Sequence, residues 1–157
     1  MFEKILVCLD GSSISEEILP FVTEEALAHS SKVVLLRVVG LPEVLIPINI
    51  PGEPGIPIST AGAVRRISKE ENEANDYLKG IARLIRKEGL KVQRVVLHGS
   101  AGESIINYVQ EHNCKLIAIA THGHGGIRRI VLGSTADFVL RNSPIPLLMV
   151  RPGNKKS

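Results

Sequence analysis

Tryptophan is missing from this 157-residue chain, and aromatic residues make up only 3% of it. The core must therefore be aliphatic, and a stacking platform for single-stranded nucleic acid is poorly supplied. Blocks of like charge are missing too: the formal charge of +3 is scattered along the chain, which suits a small anionic ligand better than DNA. Cysteine is scarce. Cys8 and Cys114 each lie in or beside an apolar run, so packing thiols in a reducing compartment are expected rather than a disulfide framework. No apolar stretch approaches the roughly 20 residues that span a bilayer, and Met1 to Lys4 carry no basic leader. The expectation is a cytoplasmic protein with neither nucleic acid nor membrane as partner.

At 44% hydrophobic residues the chain can bury a real core as one domain, residues 1–152, followed by a short tail, 153–157. Ile5 to Leu9 is a continuous apolar run ending in Asp10-Gly11-Ser12-Ser13, the pattern of a strand buried on both faces and then a polar turn. Ser13 or Ser15 can cap a helix running to about His29, which Pro20 would bend. Val33 to Val39 reads as a second strand. From Gly40 to Ser59 five prolines break up Ile and Leu residues, giving a long irregular loop of a kind that serves as lid, partner surface or disordered segment. Val64, Ile67, Glu71, Ala74, Leu78, Ile81 and Ile85 then step by threes and fours, the stripe of a long amphipathic helix ending near Gly89. Val92 to Leu97, Leu116 to Ala120 and Ile145 to Val150 read as strands; Gly102 to His112 and Gly133 to Arg141 read as helices.

Strands alternating with helices imply a doubly wound α/β fold with a five-stranded parallel sheet. Ligands of such sheets sit beyond the carboxyl ends of the strands, where the winding reverses. Two candidate segments lie at such ends. One is the turn at Asp10. The other runs from Ala120 to Ser134, where glycines and a hydroxyl follow an apolar run and lead into a helix, as a phosphate cradle requires. Arg128 and Arg129 in that loop could screen a polyphosphate or serve only as solvated surface charge. His122 and His124, with His98, have no evident fourth ligand or second-shell partner, so no metal site is expected. The chain lacks a Gly-x-x-x-x-Gly-Lys-Ser/Thr loop, and no carboxylate or lysine lies within the glycine loop. A catalytic residue is not expected, and any hydrolysis of a bound phosphate ligand would be weak.

Gly123, a nine-residue gap and then Gly133-Ser134 resemble the universal stress protein family, whose nucleotide-binding members carry Gly-x-x-Gly, nine residues and Gly-Ser or Gly-Thr after the fourth strand. The likeness extends to the opening strand with Asp10, to Leu35-Leu36-Arg37-Val38 and to Pro144 through Val150. It departs at Ala120, where the family places the first glycine. The resemblance implies an adenine nucleotide alpha-hydrolase-like fold with strand order 3-2-1-4-5. It also implies ATP or AMP bound by Leu9, Asp10, Val38, Ile119, Ala120, Gly123, Gly133, Ser134 and Thr135, with Mg2+ or Mn2+ accompanying ATP. A homodimer through strand 145–150 and an unknown protein partner complete a stress-response regulator. Two other readings stay open: a nucleotide-free docking module, and a slow ATP hydrolase. Asp10 and Ser134 also have ordinary roles open to them as helix caps, and Val38 as core.

Overall fold

The computed structural model describes residues 1–41, 60–121 and 132–151. Five parallel strands, β1 (Lys4–Cys8), β2 (Lys32–Val39), β3 (Lys91–His98), β4 (Leu116–Ala120) and β5 (Leu147–Val150), form one sheet in the order β3-β2-β1-β4-β5. The expected fold class and strand order are therefore observed. β1 is central, with Val7 beside Leu35 on one side and Ala118 on the other. A central strand buries both faces, which is why Ile5, Leu6 and Val7 have no exposed surface and why β1 and β4 read as unbroken apolar runs. The winding reverses between β1 and β4.

Two helices cover each face. Ile5, Val7, Val33 and Leu35 pack under Val22 and Ala26 of α2 (Leu19–His29) and Leu78, Ile81 and Ile85 of α3 (Thr60–Lys87). Leu6, Cys8, Val34 and Leu36 pack under Ile105 and Val109 of α4 (Ala101–His112) and Ala136 and Val139 of α5 (Ser134–Asn142).

Several expectations need correcting. The single helix from Ser13 or Ser15 to His29 is two, a one-turn α1 (Ser13–Glu16) and α2, with Pro20 in the first turn of the latter, where its missing N–H costs nothing. The cap of α1 is Ser12, whose Oγ accepts from the Ser15 N–H at 3.1 Å. The stripe on α3 is buried from Ala74 onward, but Val64 is 60% exposed. At about 1.5 Å per residue α3 is about 42 Å long, whereas an eight-residue strand spans about 26 Å, so the first turns overrun the sheet. The last strand begins at Leu147 rather than Ile145, because Pro146 lacks an N–H and only accepts, from Ile117 at 3.1 Å. Residues 42–59, 122–131 and 152–157 lie outside the described residues, and with them most of the proline-rich loop, the C-terminal tail, Gly123, Arg128, Arg129, His122 and His124.

Candidate functional site

Beyond the carboxyl ends of β1 and β4, on the α4–α5 side, lies a cavity of about 220 Å³. Leu9, Asp10, Val38, Ile119, Ala120, Gly133, Ser134 and Thr135 all line it, although they come from four separate stretches of chain. The topology brings them together: β1 neighbours both β2 and β4, so the ends of all three strands share one rim. Leu36, Val38 and Ile119 form an apolar wall, and the polar groups gather at two places.

The first is the turn after β1. Asp10 Oδ1 accepts from the Ser12 N–H at 2.8 Å and from the Ser12 hydroxyl at 2.6 Å. Ser15, which is buried, donates to the Ser12 carbonyl at 2.8 Å and accepts from the Asp10 N–H at 3.3 Å. Gly11 permits this tight path with φ of +89°, a left-handed value that side chains resist. The Asp10 side chain thus shapes its own turn while also lining the cavity.

The second place is the beginning of α5. Gly133, at φ −59° and ψ 154°, is the N-cap, and among the described residues no side chain caps the helix. The first intrahelical bond runs from the Asp137 N–H to the Gly133 carbonyl at 2.9 Å. The amides of Ser134, Thr135 and Ala136 therefore have no partner within the helix, and these three residues line the cavity. Ser134 is the first helical residue rather than its own cap. The helix dipole adds partial positive charge at the same spot.

Ser15, Cys8, Leu36, Ala101, Ile105 and Ala136 line the cavity without having been singled out from the sequence. Leu36 was within reach, since it shares a strand face with Val38; the α4 residues carry no glycine or hydroxyl signal. Burial, with a smaller contribution from Cys114, pushes the Cys8 thiol up to about 12, so it is a neutral wall group rather than a nucleophile. Among the described residues no group of three or more His, Cys, Asp or Glu side chains is placed to hold a metal ion; His98 instead faces Glu71 at 3.5 Å. No described helix is long and apolar enough to cross a membrane.

Comparison with known proteins gives a consistent picture. The universal stress protein family profile matches residues 1–151. Universal stress protein MJ0531 of Methanocaldococcus jannaschii is 26% identical over 156 residues, covering 99% of this chain and 86% of that protein. The solved structure of MJ0577 from the same organism superposes with a TM-score of 0.80 at 24% identity, covering 99% of both chains. A universal stress protein family protein from Arabidopsis thaliana, solved with AMP bound, gives a TM-score of 0.65 at 14% identity over 98% of this chain and 94% of that one. The two structural likenesses establish the fold. Because the family profile spans residues 1–151 of 157, the chain belongs to the universal stress protein family.

Proposed function

We propose that this protein binds an adenine nucleotide, ATP or AMP, in the cavity between the Asp10 turn and the beginning of α5, and acts as a nucleotide-linked regulator in stress response. The observation that carries the reading is the set of uncapped amides at Ser134, Thr135 and Ala136 facing a mainly apolar wall. Apolar contact with Leu36, Val38 and Ile119 suits a base, and Asp10 can accept from its amino edge or from the sugar. The α5 amides and the Thr135 hydroxyl suit phosphate oxygens. A cavity of about 220 Å³ is smaller than the roughly 300–1,000 Å³ of pockets that enclose whole drug-sized ligands, so it fits part of a nucleotide, with the rest reaching outward. Gly123 would turn the loop over the sugar, Arg128 and Arg129 would screen the phosphates, and Mg2+ or Mn2+ would accompany ATP. The AMP in the Arabidopsis relative supports adenine as the base. Dimerisation through 145–150 in the cytoplasm belongs to the same proposal, supported by β5 lying at a sheet edge with half-buried Leu147 to Val150.

One observation favours the nucleotide-free docking module instead. Ala120 stands at the cavity where the family motif has glycine, with its side chain in the apolar core on the α2–α3 side. Calorimetric titration of the protein, stripped of carried-over nucleotide, with ATP and magnesium decides between them. Saturable one-site binding is expected; no heat and no thermal stabilisation at millimolar ATP overturns nucleotide binding in favour of docking. Slow hydrolysis would require turnover that Ser134→Ala removes.

A further inference from the structure

Consecutive residues of a strand point to opposite faces. Val38 lines the nucleotide cavity, so its neighbour Arg37 lies on the other face of β2, in register with Val33, Leu35 and Val39, which are all buried. A charged residue in that apolar row needs a reason. The Arg37 guanidinium lies against the backbone of Gly11, so close that a Cβ there would be 3.0 to 3.1 Å from its Cζ, Nη1 and Nη2. The guanidinium also lies over the ring of Tyr77 from α3, whose centroid is 5.3 Å from Cζ, a cation–π distance. A second cavity of about 200 Å³ lies here, lined by Arg37, Glu70 and Glu73, and it shares Asp10 and Val38 with the first. The Asp10-Gly11 turn is therefore one thin wall, with the nucleotide cavity in front and Arg37 behind. The Tyr77 hydroxyl is buried next to Glu16 and Ser15 without a well-aligned hydrogen bond to either, and Ser15 holds the Asp10 amide.

We propose that Arg37 is a positioning residue for the base end of the cavity and that, through the Tyr77 ring, it ties occupancy of the cavity to helix α3. The inference rests on the nucleotide reading above. A flat guanidinium can lie against a glycine backbone and an aromatic ring at once; a lysine ammonium cannot. A ligand group that draws on Asp10 pulls on the turn, and the Arg37–Tyr77 stack packed behind Gly11 takes up the movement.

The chain has two tyrosines and no tryptophan, so in a Tyr108→Phe background Tyr77 is the sole strong fluorophore. Adenosine, which has no phosphate, is the probe, and pyrophosphate is the control. Adenosine is expected to change Tyr77 emission. Arg37→Met should weaken adenosine about tenfold, leave pyrophosphate within twofold and abolish the emission change at saturating adenosine, while Arg37→Lys restores only part of the affinity. If adenosine binds Arg37→Met as it binds the parent, or if emission stays constant while calorimetry records binding, the proposal is overturned and nucleotide binding stands. Equal losses for adenosine and pyrophosphate together with a lower unfolding midpoint indicate general damage to the fold and also overturn it. Failure of the parent to bind adenosine or ATP overturns both readings.

Discussion

Helices α1 and α5 both begin at the rim of the cavity, yet their first turns are satisfied in opposite ways. Before α1, Asp10, Ser12 and Ser15 bond to one another and to the first amides, so the chain caps itself. Before α5 there is Gly133, which has no side chain to offer, and three amides are left to the cavity. Helices are routinely capped by Ser, Thr, Asp or Asn, and such a cap is worth about 1 kcal/mol. A helix that forgoes one next to a cavity has its amides available to an anion.

The comparison can be broken most severely by giving α5 the cap it lacks. Gly133→Asp should leave the unfolding midpoint unchanged or slightly raised, because Asp is a preferred N-cap. It should also weaken ATP by about 100-fold, since a carboxylate occupies the amides and repels phosphate; charge-assisted hydrogen bonds are each worth about 1.5–3 kcal/mol. Undiminished ATP binding to that variant, measured by calorimetry, would remove α5 from the site.

Next in size is the contact that sets α5 against α4. A Cβ on Gly102 would stand 2.5 Å from Phe138 Cδ1 and 3.1 Å from its Cβ, so Gly102→Ala should cost about 1–3 kcal/mol in urea unfolding. Phe138→Ala in the same chain should recover part of that, and purely additive losses would show that the two residues are not coupled. Undoing the self-made cap instead, Ser12→Ala should cost about 1 kcal/mol and leave the α5 amides intact, so pyrophosphate affinity should hold while adenosine weakens.

The smallest effect is absent at neutral pH. Cys8 has its pKa raised from 9.0 to about 12 by burial, so between those values the unfolded chain gives up the thiol proton and the folded one keeps it. Its contribution is fully present below pH 9 and is lost as pH rises toward 12, about 1 kcal/mol of it by pH 10. Cys8→Ala should flatten that slope; an unchanged slope would mean that other groups set it.

Parallel strands buried on both faces announce themselves, which is why β1 and β4 were legible, while the sheet order was legible only through the family resemblance. The cavity was legible where chemistry concentrates in one stretch, as at Asp10 and Gly133-Ser134-Thr135. It was not legible where a residue matters only through a distant partner. Gly102 looks like an ordinary helix glycine until Phe138 is laid across it, and Arg37 looks like a stray charge until Gly11 and Tyr77 close on it. Pro20 was recognised as a disturbance, but whether it bends one helix or separates two depends on Ile18 and Val22 both reaching the core.

The central position of β1 also has a consequence in time. Its partner β2 follows within about 25 residues, but β4 and the first turn of α5, which complete the cavity, come more than 100 residues later. Pairings so far apart in sequence are slow to form, because loop closure must precede any gain from contact. During synthesis the Asp10 turn therefore emerges long before the wall that faces it in the finished fold. A ligand that needs both halves can recognise only a finished molecule.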